Sequence, residues 1–254
     1  MKILMLTEEH DIFYHILLES LNNLNVPIGH AGFPIESRQV EEFDPDIIIH
    51  NSKTVSKISY KNAITISINE MDEENCFSYR ESNSKNYIKP FIKISKSDLN
   101  DERYKSDMVY VGNPGLLPDC IGEVQSDPNI NFKILNNSPV PISNYCGSCT
   151  FDDYKKFFRM AKCSLVDHSE SSSSSYSFKL LDILYSGGNP VLHKDDDQFI
   201  TDIKEALSGK CFRGDFMAKE EIANNHTNYD RMSEIFSKLG LNKMSKMILD
   251  SKGK

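Results

Sequence analysis

Short apolar runs alternate with amphipathic stretches along this chain. Lys2–Thr7 is a continuous apolar run that stops at the polar turn Glu8-Glu-His-Asp. Phe13, Ile16, Leu17, Leu21 and Leu24 then recur at helical spacing. The pattern predicts a strand over 2–7 and a helix over 12–24. Asp44-Pro-Asp leads into the strand Ile47–His50, and residues 62–68 read as another strand. Short buried strands alternating with helices point to a parallel sheet covered on both faces. The segment 70–105, rich in Glu, Asn, Ser and Lys, breaks this rhythm. It reads as a mobile active-site loop plus the connection to a second domain.

A second strand-helix series follows. Strands are expected at 107–111, 131–135, 163–167 and 190–192. Helices are expected at 151–161, capped by Thr150 or Asp152, at 177–186, at 198–208 and over 219–250. The expected fold class is therefore α/β with two Rossmann-like domains, residues 1–104 and 105–254, facing a cleft at the carboxyl ends of their strands. Gly29-His30-Ala31-Gly32 reads as a glycine turn at the edge of that cleft.

Composition narrows the partners. The chain has 254 residues and a formal net charge of -8, which gives no support for a broad basic surface that binds nucleic acid. The acidity is uneven: residues 1–104 hold 11 Lys+Arg against 17 Asp+Glu, and the remainder 18 against 20. No signal-peptide pattern and no long apolar span is evident, so a cytoplasmic location is expected. The six cysteines read as reduced thiols in such a chain. Cys146-Gly-Ser-Cys149 has the spacing of a redox or metal pair, but it lacks a second ligand pair and follows a Pro-rich loop. Loop thiols are the plainer reading.

The stretch Ser175–Leu192 carries the most chemistry. It reads as a helix start, an apolar-faced helix, a glycine stop and a buried strand. Lys179 and Asp182 stand three residues apart and share a helix face. A cation and a carboxylate beside a helix N-terminus suit a ligand with both phosphate and ribose. The same spacing also describes an ordinary surface ion pair. The serine run 171–175 just before it fits either a flexible spacer or a cradle of hydroxyls and N–H groups for phosphate.

Val109-Tyr-Val-Gly-Asn113, the strand 131–135, the stretch Phe151–Lys162 and Lys179-Leu-Leu-Asp-Ile-Leu-Tyr-Ser-Gly-Gly-Asn-Pro-Val-Leu192 together resemble the donor-binding half of GT-B glycosyltransferases. That superfamily marks its nucleotide-sugar site with a basic residue, an acid, and a Ser/Cys-Gly-x-Pro-Val ending. The layout is similar to that of the DNA β-glucosyltransferases of bacteriophages. The resemblance implies that Lys179 faces a diphosphate and Asp182 takes the ribose hydroxyls. It further implies that Gly112, Asn113, Gly147, Ser174, Ser175 and Ser177 line the donor site. The implied substrate is a nucleotide-diphospho-sugar such as a UDP-sugar, with no cofactor and no metal.

Two departures stand out. The loop Gly112–Pro118 has none of the arginines that the phage enzymes use on the diphosphate. The first acid of the retaining pattern would fall at Ser174, so an inverting transfer is implied. Such a transfer needs a carboxylate base in the first domain. Glu70 and Asp72, just past the strand 62–68, are the candidates, with Asp11 and His15 in reserve. The acceptor hydroxyl is left open between a glycan, a small molecule, a protein and a modified DNA base. A protein that binds the nucleotide sugar without turning it over is the alternative.

Overall fold

The computed structural model of the chain describes residues 1–8, 12–32, 35–52, 60, 63–68, 76–78, 86–93, 102–136, 144–148, 150–166 and 177–252. The fold is α/β, as expected, with two parallel sheets in two compact units. Met1–Lys93 and Thr227–Lys254 make the first unit, and Ile94–His226 the second. The sequence pattern suggested one crossing, after residue 104. The chain instead crosses twice, and the last helices return to the first unit.

The first unit is built on the sheet β2-β1-β3-β4-β5, from β1 (Ile3–Thr7), β2 (Ile28–Gly32), β3 (Ile47–His50), β4 (Ile64–Ile68) and β5 (Cys76–Phe77). All its pairings are parallel. Helix α1 (Ile12–Glu19) follows β1, and its Tyr14 hydroxyl reaches the Leu6 and Ile49 carbonyls, each at 3.0 Å. The short α2 (Ser37–Phe43) follows β2. Leu4, Leu6, Val40 and Ile48 form a buried cluster under it.

Gly29-His-Ala-Gly32 is thus an edge strand and not a turn. Its register with β1 brings the backbone close to α2: a Cβ on Gly29 would stand 2.9 Å from the Phe43 ring. Part of the 70–105 segment is also core. Ile88, Phe91 and Ile92 are buried. Arg231 of α8 (Asn228–Lys238) donates to the carbonyls of Lys89 and Pro90, and Asn228 donates to that of Ile16.

The second unit carries the sheet β7-β6-β8-β9, from β6 (Ser106–Val111), β7 (Phe132–Leu135), β8 (Ala161–Val166) and β9 (Pro190–Leu192). Helices α3 (Ile121–Gln125) and α6 (Asp196–Leu207) cover one face, around Met108, Phe132, Leu165, Phe199 and Ile203. Helices α4 (Phe151–Met160) and α5 (Phe178–Ser186) cover the other, around Val109, Phe158, Val166 and Ile183. Thr150 caps α4 by accepting from the Asp153 N–H, as the sequence suggests. The long helix expected over 219–250 is three: α7 (Lys219–Asn225), α8 and α9 (Asn242–Asp250). A capping box of Thr227 and Asp230 starts α8, and Gly240, at φ +75°, turns the chain before α9. Among the described residues no helix is long and apolar enough to cross a membrane.

Candidate functional site

In the second unit β6 sends its chain outward to β7, while β8 leads the other way to β9. The order reverses between β6 and β8, and ligands of open parallel sheets bind beyond the carboxyl ends of the strands at such a point. Gly112 and Asn113 follow β6 directly, and α5 is the helix after β8.

Three of the expected donor residues meet here. Lys179, in the first turn of α5, holds its Nζ 4.7 Å from the centroid of the Tyr110 ring. A cation over a π face is attracted by the ring's quadrupole. The Tyr110 hydroxyl donates to the Asn113 carbonyl at 3.1 Å. Gly112 sits between them at φ +144°, a backbone that side chains rarely adopt. A Cβ there would stand 3.0 Å from Tyr110 Oη and 3.3 Å from Lys179 Nζ. Asn113 then turns the loop, its Oδ1 accepting from the Gly115 N–H.

The next strand is tied to this loop. Gly112 N–H donates to the Leu135 carbonyl, and Asn136 N–H to the Gly147 carbonyl. Gly147, at φ +100°, therefore flanks the same end of the sheet. Ser177 is the N-cap of α5, and its hydroxyl accepts from the Leu180 N–H. That bond fixes the helix start that presents Lys179 two residues later.

Asp182 is placed differently from a solvent-facing ribose anchor. Its carboxylate accepts from the Tyr154 hydroxyl at 2.7 Å and lies 3.6 Å from Lys155 Nζ. The side chains of Lys155 and Asp182 are 7% and 6% exposed. Neither Tyr154 nor Lys155 figures in the sequence-based site. Their signal was nevertheless present: Phe151, Lys155 and Phe158 share one helical stripe, and a lysine in an apolar stripe calls for a buried acid.

The Ser-Gly-Gly-Asn-Pro-Val ending has structural work. Gly187 (φ +88°) is the left-handed C-cap, and Gly188 N–H donates back to the Ile183 carbonyl, the pairing of a Schellman stop. The buried Asn189 side chain donates to the Lys162 and Lys210 carbonyls and accepts from the Phe212 N–H. These bonds lock β9 beside β8.

Glu70, Asp72, Ser174 and Ser175 lie outside the described residues, as do Asp11 and Cys149. Cys146 is exposed, and Cys120, Cys146, Cys163 and Cys211 are free thiols. Burial pushes the Cys163 thiol up to about 12, so it is an inert core group. In the first unit the order reverses between β1 and β3, where Glu8 N–H donates to Asn51 Oδ1. The neighbouring His50 is fully buried.

No family model and no curated protein matches the chain. Solved structures do. T4 phage BGT in complex with UDP and Mn2+ superposes with a TM-score of 0.50 at 11% identity, covering 99% of this chain and 98% of that one. An alpha1,3-fucosyltransferase gives 0.50 at 12% identity, covering 98% and 90%. A DNA-modifying beta-glucosyltransferase gives 0.46 at 10% identity. The first two likenesses establish the fold: two Rossmann-like domains of the GT-B type, the class to which these glycosyltransferases belong.

Proposed function

We propose that the second unit binds a nucleoside-diphospho-sugar and that the protein transfers its sugar to an acceptor hydroxyl. The observation that carries this reading is the meeting of Lys179, Gly112 and Asn113 at the switch point of the second sheet. A lysine there gives a point charge for a diphosphate, and a glycine lets the backbone approach it. The fold supports the reading because the T4 phage structure holds UDP and the fucosyltransferase shares the architecture. The buried network around Asp182 would set the slope of α5, and so the position of Lys179, with ribose contact as a secondary role for its carboxylate. Glu70 or Asp72 is the proposed base for an inverting transfer.

Calorimetric titration with UDP, UDP-sugars and other nucleoside diphosphates tests the reading, with and without Mn2+. A diphosphate that binds the wild type and binds Lys179→Ala at least about tenfold more weakly is the expected result, since a charge-assisted hydrogen bond contributes about 1.5–3 kcal/mol. Equal binding by both proteins would refute the site. Release of free sugar or transfer to acceptor, lost in Glu70→Ala or Asp72→Ala, would mark the enzyme.

One observation favours a second reading, a protein that only sequesters the nucleotide sugar. The loop Gly112–Pro118 carries no arginine. Leaving-group charge would then rest on Lys179 and backbone N–H groups, enough for binding and weak for catalysis. This reading expects donor binding that survives Glu70→Ala and Asp72→Ala with no turnover in the wild type. Modified DNA as an acceptor expects binding of hydroxymethylated duplex that weakens steeply with salt.

A further inference from the structure

Cys120, His193 and Asp196 come together in the second unit, and the donor site described above uses none of the three. Cys120 precedes α3, His193 follows β9, and Asp196 lies in the first turn of α6. One ligand atom from each lies within 4.8 Å of the others. His193 Nε2 and Asp196 Oδ1 are 2.8 Å apart, and the Cys120 thiol also bonds the Asp196 carboxylate. The histidine ring is held edge-on against buried Phe199, with centroids 5.0 Å apart.

We propose that this trio is a binding site for a borderline-soft divalent ion, zinc by preference, which ties α3, β9 and α6 together. A thiolate, an imidazole and a carboxylate form a mixed S/N/O set that suits zinc and disfavours magnesium or calcium, which take oxygen cages. Zinc bond lengths of about 2.3 Å to sulfur and about 2.0–2.1 Å to nitrogen or oxygen put tetrahedral ligand atoms roughly 3.3–3.6 Å apart. The three ligand atoms lie within 4.8 Å of one another, so the wider separations close by up to about an ångström on binding. The His193–Asp196 pair opens by about half an ångström, and the metal takes the place of the proton they share. Loading balances in atoms and charge: the Cys120 S–H bond breaks and its proton leaves to solvent, the neutral imidazole of His193 carries its proton on Nδ1 instead of Nε2, and the thiolate, Nε2 and the Asp196 carboxylate bind the ion. Water fills the fourth position. Asp119, Asp195 and Asp197 flank the ligands in sequence and make the surroundings favourable to a cation.

Cobalt(II) titration of the full-length, metal-free protein is the test. Expected are the strong visible bands of four-coordinate cobalt and a near-ultraviolet thiolate-to-cobalt band, saturating at one equivalent and bleached by zinc. Cys120→Ser should remove the thiolate band. A Cys146→Ser/Cys149→Ser double variant should keep it, which separates the site from the C-x-x-C pair. Asp196→Asn, at an exposed position, should leave the circular dichroism unchanged and weaken cobalt binding by about tenfold or more, at least the loss that a supporting group of a metal site causes. No thiolate band in the wild type overturns the proposal. So does a band that persists in Cys120→Ser or disappears in the 146/149 variant.

Discussion

Lys155 and Asp182 form an ion pair between α4 and α5, 3.6 Å apart, with both side chains almost wholly out of solvent. The Tyr154 hydroxyl takes a carboxylate oxygen of Asp182 at 2.7 Å, so the acid has a partner on each side. Two charges taken from water are stable together only while both are present. Removing one is therefore expected to be far worse than removing both. Asp182→Ala or Lys155→Ala should destabilise the fold by about 3–5 kcal/mol, whereas Lys155→Met with Asp182→Leu should be close to neutral. Urea unfolding of the four proteins checks this. Additive losses would show that the pair is not coupled.

The close quarters around Gly112 make a second forecast. Gly112→Ala places a methyl 3.0 Å from the Tyr110 hydroxyl and 3.3 Å from the Lys179 amine, on a backbone at φ +144°. The loop and the amine must both move. Nucleotide affinity should fall by at least about tenfold, while stability falls by about 1–3 kcal/mol, the usual cost of a sparsely populated backbone for an L side chain. Titration beside thermal melting separates the two effects. Unchanged affinity would mean that the loop does not face the ligand.

Gly188 gives a purely structural forecast. A Cβ there would stand 2.8 Å from the Phe158 carbonyl oxygen, a backbone atom that cannot swing away. Gly188→Ala should push α5 from α4 and cost about 1–3 kcal/mol, the range for overpacking. Gly214, where a Cβ meets nothing within 4 Å, is the control, and its alanine variant should melt near the wild type.

His50 sets a pH dependence. Burial holds its imidazole below the ordinary value of 6.5, against the opposing pull of the Glu8 carboxylate. The unfolded chain binds this proton near pH 6.5, and the native state only at lower pH. The contribution to stability is complete above pH 6.5 and declines as the pH drops through the window down to the native value. Asp107, Asp153 and Asp196 are held below 3.8 by Lys162, Lys156 and His193 respectively, so their losses begin only at more acidic pH. Denaturant midpoints at about pH 7.5 and about pH 5.5 should fall for the wild type and less for His50→Gln. Equal slopes would assign the loss to other groups.

Much of the architecture was legible because buried parallel strands are written as apolar runs. Lys2–Thr7, Ile47–His50, 107–111 and Pro190–Leu192 all match strands of the structure. The misses have physical reasons. Gly29-His-Ala-Gly32 offers almost no apolar side chain, so its edge pairing to β1 leaves no periodic trace. The break between α8 and α9 was present in Gly240, but the apolar spacing continues on both sides. At the site, Gly112 and Lys179 could be read from a strand end and a helix start. Tyr110 could not: its ring supports Lys179 through the sheet's geometry, and strand alternation alone does not say what lies above it. The fate of Asp182 was likewise decided on another helix, 27 positions earlier at Lys155.

The discontinuity of the first unit bears on how the molecule is made. A ribosome delivers Met1–Lys93 first, then the whole of Ile94–His226, and only afterwards Thr227–Lys254. The second unit can close as soon as it emerges, whereas the first must wait for Asn228 to reach the Ile16 carbonyl and Arg231 those of Lys89 and Pro90. The nascent chain thus carries a sheet that lacks its last helices through most of its synthesis, and a stop codon placed at 227 would release a protein with one finished unit and one without its keystone helices.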